Sequence, residues 1–158
     1  KEVIMRVLLL YLACASILLA NPFEDLLGKS TAYLDKKDFF CHPTSCIGQQ
    51  QNYFENPLLD DVIEHIETFS TNDDKVYEVL IHLSDTYKTK NKEIDQALYQ
   101  ALLIHNKHTK SITYELLKVN DKYGNKTMIV IKDTHLEKAY IEHLTQQFLN
   151  ALSTYKAH

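Results

Sequence analysis

The spacing of apolar positions changes period along this chain. Leu58, Leu59, Val62, Ile63, Ile66 and Phe69 fall at helical spacing, after Asn56 as an N-cap and Pro57 at the first helical position. They predict a first helix. Thr71 followed three residues later by Asp74 suggests a cap for a second helix, striped by Val76, Val79, Leu80, Leu83 and Tyr87. The β-branched content of that second stripe leaves a strand as the alternative. Asn91 then opens a third helix with Ile94, Ala97, Leu98, Ala101 and Leu102 on one face. No Gly or Pro interrupts residues 58–123.

At 112–132 the period shortens. Ile112, Tyr114 and Leu116 alternate with Thr113 and Glu115, while Met128, Ile129, Val130 and Ile131 are apolar throughout. The loop between these runs holds Asn, Asp, Gly and Asn, which predicts a β-hairpin with Gly124 at a positive φ. An isolated hairpin is marginal in water, so it must pack on helices, gain further strands or pair with another copy. The helical period returns at Thr134, which forms a capping box with Glu137. Leu136, Tyr140, Leu144, Phe148, Leu152 and Tyr155 then make the clearest amphipathic stripe in the chain, and it predicts a core-packed helix.

Residues 21–57 hold five of the six Gly and Pro residues and read as loop-rich, with short helices near 24–27 and 31–37. Phe39, Phe40, Tyr53 and Phe54 bracket a cysteine loop and the Gln49, Gln50, Gln51 run. Those aromatics either pin an irregular segment onto the domain or form a recognition loop. The fold class is α+β: three helices, an antiparallel β-hairpin, then a long C-terminal helix packed on the small sheet. Residues 21–57 and 58–158 form one globular unit.

The beginning of the chain carries the strongest functional signal. Met5 and Arg6 precede 14 uncharged residues, 7–20. That run is shorter than the roughly 20 residues of a spanning helix and suits a secretory signal peptide over 1–20. Ala20 and Ala15 are cleavage candidates; a retained anchor and a lipid-bearing Cys14 are the alternatives. The reading therefore places the protein outside the cell or in the periplasm. Cleavage would leave Cys41 and Cys46, whose pairing across a short loop fits an oxidising compartment. Closing so small a loop stabilises the fold by only about 2 kcal/mol. Asn125, Lys126 and Thr127 form one acceptor motif for N-glycosylation.

Net charge is −4, which does not favour a nucleic-acid partner. The charge is uneven, with eight acids and one Lys over 55–78 against nine Lys and four acids over 88–132. Such asymmetry describes either two solvated faces or a polarised molecule with a Lys-rich side for an anionic surface.

Eight histidines invite a metal hypothesis. His105 and His108 could share a helix face, and His135, Glu142 and His143 lie on the last helix. His42 sits between the cysteines, yet no spacing matches a zinc motif. A nucleophile elbow, a phosphate-cradling loop and a dinucleotide fingerprint are all missing, and only three Gly are present to build one. No cofactor, metal ligand or catalytic residue is assigned.

The expected function is a secreted or surface-exposed, non-catalytic binding module. Its contact region is expected at Phe39, Phe40, His42, Tyr53 and Phe54, with the hairpin turn. The partner is an unspecified protein or anionic surface; membrane contact comes only through the leader, and a homodimer is compatible with this reading. The alternatives are a small secreted hydrolase or metal-dependent enzyme using His and acidic residues, and a carrier of a small apolar ligand. Convergence of at least three of His42, His65, His82, His105, His108, His135 and His143 would favour the enzyme, and scattered, solvated histidines the module.

Overall fold

In a computed structural model, residues 21–49, 59–84, 92–104, 110–122 and 124–156 are described. The segment 1–20 expected to be a leader, Tyr53, Phe54, His105 and His108 lie outside them. The chain runs through a single 3-10 turn (Glu24–Leu26), α1 (Thr31–Asp35), β1 (Phe40–His42), β2 (Ser45–Gly48), β3 (Ile63–Ser70) and β4 (Val76–Leu83). It continues through α2 (Lys92–Ile104), β5 (Ile112–Asp121), β6 (Gly124–Asp133) and α3 (Thr134–Lys156). The strands form one antiparallel sheet in the order β1-β2-β3-β4-β6-β5.

The mixed helix and antiparallel-sheet class therefore stands, but the first two expected helices are strands. β3 and β4 replace them, and the physical reason lies in their two faces. On β3 the inward face is Ile66, Thr68 and Ser70, so two of its three residues carry hydroxyls. The outward face carries His65, Glu67 and Phe69. Ile63, Ile66 and Phe69 thus imitate a helical stripe while sitting on both sides of a sheet. On β4 the inward residues are Val79, Ile81 and Leu83, and counting Leu80 in the stripe concealed the period of two. A register shift between Phe69 and Ser70 further breaks the alternation.

The hairpin and the last two helices lie where the pattern places them. β5 and β6 pair from Ile112 with Asp133 to Asp121 with Gly124, and Gly124 has φ +124°. β6 lies between β4 and β5, and it is apolar on both faces because both are buried there: Ile129 and Ile131 on one side and Val130 on the other. In α2, Leu98, Ala101 and Leu102 are buried.

The core lies on one side of the sheet. Ile66, Val79, Ile81, Ile129 and Ile131 pack there with Leu98 and Leu102 of α2 and with Phe23, Leu26, Leu34 and Phe39. The loop-rich N-terminal segment is thus a cover for the sheet. Reciprocal backbone bonds tie it down: Gly28 N–H donates to Val76 O at 2.8 Å, and Val76 N–H donates to Lys29 O at 2.9 Å. Ser30 caps α1 by accepting from Tyr33 N–H, and Asp74 Oδ1 accepts from Thr31 N–H at 2.8 Å. Phe39 closes the cover against Gly48, whose absent side chain makes room for its ring: a Cβ there would lie 2.6 Å from it. At the far edge, Tyr114 O–H donates to the buried Glu24 carboxylate and accepts from Asn21 Nδ2 at 2.8 Å. Burial, then the bond to Glu24, holds the Tyr114 phenol well above its ordinary pKa.

α3 departs most from expectation. Its first cap is Asp133, whose Oδ1 accepts from His135 and Leu136 N–H, while the Thr134 hydroxyl donates to Ser111 O. Glu137 binds Lys132 at 2.8 Å, and Lys132 also meets Glu78 at 2.9 Å. Burial works against the Lys132 charge, yet Glu137 and Glu78 outweigh it and raise its pKa. After Tyr140, which touches Tyr77, every described side chain of α3 is exposed. Phe148 is 63% exposed and Tyr155 83%, so the distal stripe is not core.

Candidate functional site

The face of the sheet opposite the core meets the first turns of α3, where Glu137 binds Lys132. Cross-strand partners in an antiparallel ladder share a face, so the register assigns its occupants. At one end, Phe40 pairs with Ile47, and His42 with Ser45. Phe40 is 69% exposed, Ile47 is exposed, and the Phe40 and His42 rings meet edge to face at 5.0 Å. Cys41 and Cys46 lie directly opposite each other on the reverse side and form a disulfide with Cα atoms 4.1 Å apart. Cys46 is fully buried, so the bridge belongs to the core side.

The aromatic positions named from sequence therefore divide. Phe39 points into the core and anchors the segment, whereas Phe40 and His42 face outward at the sheet edge. Alternation along a three-residue strand separates them. Asn125 is exposed at the start of β6, while Thr127 of the same motif is buried.

In the centre of this outer face lies a pairing of two sequence-named histidines that the helical reading of 58–87 concealed. His65 on β3 pairs directly with His82 on β4. Their rings stack with centroids 4.0 Å apart and planes 15° from parallel. Glu67 is two residues beyond His65, on the same face, and its Oε2 lies 3.4 Å from His82 Nε2. That separation suits an ion pair better than a strong hydrogen bond. Among the described residues, these three form the group of His, Cys, Asp or Glu side chains whose ligand atoms converge, all within 4.8 Å. All three are half-buried. Burial pushes the His82 imidazole below its ordinary pKa, His65 adds to that, and Glu67 opposes it. A neutral imidazole with an available nitrogen beside a carboxylate can hold a cation.

The other described histidines do not join them. His42 is at the β1 edge, and His135 and His143 are exposed on α3. Among the described residues two histidines of that set converge, His65 and His82. Glu67 was not singled out from sequence because only strand register places it beside His82.

A second surface is the distal half of α3. Ile141, Leu144, Phe148, Leu152 and Tyr155 are exposed along one stripe, and residues 144–155 contain no charged side chain. Exposed helices ordinarily carry charge on their solvated faces. No helix among the described residues is long and apolar enough to cross a membrane.

No protein-family model matches this chain, and no curated protein or solved structure matches it either.

Proposed function

We propose that the chain is an exported, non-catalytic interaction module that works as a pair, with the distal half of α3 as its contact element. The observation that carries this reading is the symmetry of the exposed stripe. Leu144 and Leu152 lie four residues either side of Phe148, and Ile141 and Tyr155 lie seven either side. A second copy running antiparallel would set Phe148 against Phe148, Leu144 against Leu152 and Ile141 against Tyr155. That is the self-complementary contact a two-fold axis requires. The uncharged 144–155 stretch lets two identical surfaces meet without like-charge repulsion. Residues 141–155 span about 22 Å of helix, enough for an interface at the small end of the specific range.

Export is supported by the apolar leader and by the Cys41–Cys46 bridge. Phe40, Ile47 and His42 offer a further contact patch at the sheet edge, which keeps part of the expected binding region. A second reading, metal-dependent chemistry, draws on His65, Glu67 and His82 alone.

Sedimentation of the leader-free chain with its disulfide intact tests the pair. The expected result is a concentration-dependent dimer that Phe148→Glu converts to monomer with an unchanged far-UV spectrum. A chain that stays monomeric at high concentration, or a dimer indifferent to Phe148→Glu and Leu144→Glu, overturns it.

A further inference from the structure

The outer sheet face holds a second feature, independent of the helix stripe. We propose that His65, Glu67 and His82 form a binding site for one divalent d-block cation of the zinc type, with solvent completing the coordination.

The donor set points to that class. Two imidazole nitrogens and one carboxylate oxygen suit zinc or copper, whereas calcium and magnesium take mainly oxygen ligands. The spacing agrees. A tetrahedral zinc with bonds of about 2.0–2.1 Å holds its ligand atoms roughly 3.4 Å apart. Glu67 Oε2 and His82 Nε2 are already 3.4 Å apart. His65 offers its nitrogen within 4.8 Å of both, and binding would require its ring to turn out of the stack toward the ion.

A second observation is the state of His82 Nε2. It is shielded from solvent and makes no hydrogen bond among the described residues. Glu67 Oε2 meets it at 3.4 Å without forming a hydrogen bond, and a shared cation would satisfy both atoms. Glu64, exposed beside the register shift next to His65, adds further negative potential.

The scaffold is suited to such a site. β3 and β4 are central strands, each flanked on both sides, so the backbone under the ligands is held by a continuous ladder. Ligands on strands are held more precisely than ligands on loops. Met128 pairs with His82 from β6 on the same face, which places a thioether next to the site. Thioethers are soft ligands that favour the Cu⁺ state over the divalent ions.

The test uses the leader-free chain with its disulfide intact, carrying no histidine tag and stripped with chelator. Zn²⁺, Cu²⁺ and Ca²⁺ are titrated separately by calorimetry, and Co²⁺ is added as an optical probe. The expected result is one equivalent of Zn²⁺ or Cu²⁺ bound, no Ca²⁺ bound, and Co²⁺ bands of low-coordinate geometry. His65→Ala and His82→Ala should each weaken binding at least roughly tenfold, as should Glu67→Gln, with folding checked by far-UV dichroism. In the unaltered chain, Zn²⁺ should shift the ring resonances of His65 and His82 before those of the other histidines, which needs no variant. Absence of stoichiometric binding overturns the proposal. So does Zn²⁺ affinity that survives in a folded His65→Ala/His82→Ala double variant, because other residues would then be the ligands. Neither result bears on the helix pair, which is read by sedimentation.

Discussion

The two faces of the sheet are built from the same strands and do opposite work. Ile81 and Leu80 are neighbours on β4, yet Ile81 is fully buried and Leu80 only half-buried. On β3, Thr68 is sealed in the core while Glu67 faces outward toward His82. The covered face has two sources of cover, the N-terminal segment and α2, and its polar residues are few and small. The outer face collects His65, Glu67, His82, Glu78 and Lys132, with Phe40 and Ile47 at one edge. The difference teaches that stability and candidate chemistry are separated by one side-chain alternation. A one-residue slip of β3 against β4 would exchange them.

The largest way to break the comparison is to truncate matched neighbours. Ile81→Ala should destabilise the fold by about 2–5 kcal/mol, and Leu80→Ala by about 1 kcal/mol or less, in urea unfolding of each variant. Equal costs would mean that the outer face is as tightly packed as the inner one. Next is the seam between Phe39 and Gly48. Gly48→Ala places a methyl group 2.6 Å from the Phe39 ring, and overpacking of this kind should cost about 1–3 kcal/mol. A neutral result would show that Phe39 can move, and with it the N-terminal cover.

Tyr114→Phe removes the hydroxyl that bridges Asn21 and Glu24 while keeping the ring. The expected loss is about 1–2 kcal/mol, measured as a lower urea midpoint with an unchanged slope. The smallest effect sharpens the contrast from the other side. Phe148→Ala, at protein concentrations too low for pairing, should change stability by less than about 0.5 kcal/mol, because its ring is 63% exposed. A loss of several kcal/mol in the monomer would return the distal stripe to the core.

The core membership of α2 and the hairpin was legible because their patterns admit one interpretation. Leu98, Ala101 and Leu102 recur at helical spacing, and four consecutive apolar residues in β6 demand cover on both sides. β3 and β4 were not legible in the same way. Their inward faces mix Thr68 and Ser70 with aliphatics, and their outward faces carry Phe69 and Leu80. Hydrophobicity alone then fits a period near 3.6 as well as a period of two. The β-branched residues Ile63, Ile66, Thr68, Val76, Val79 and Ile81 were the available signal for strands. The His65–Glu67–His82 group disappeared with that misreading, because its members meet only across a strand pair.

The amino-acid sequence by itself determined the local elements whose physics is short-ranged. The hairpin turn at Gly124, the helical runs of α2 and α3, and the proximity of Cys41 to Cys46 follow from neighbouring residues. Tertiary structure alone decided which side of each strand is covered, how β4 and β6 meet, and that the α3 stripe remains exposed. Those outcomes depend on contacts between residues far apart in the chain. Whether an apolar side chain is core or contact surface is set by what lies opposite it, and the periodicity of its own segment cannot specify that.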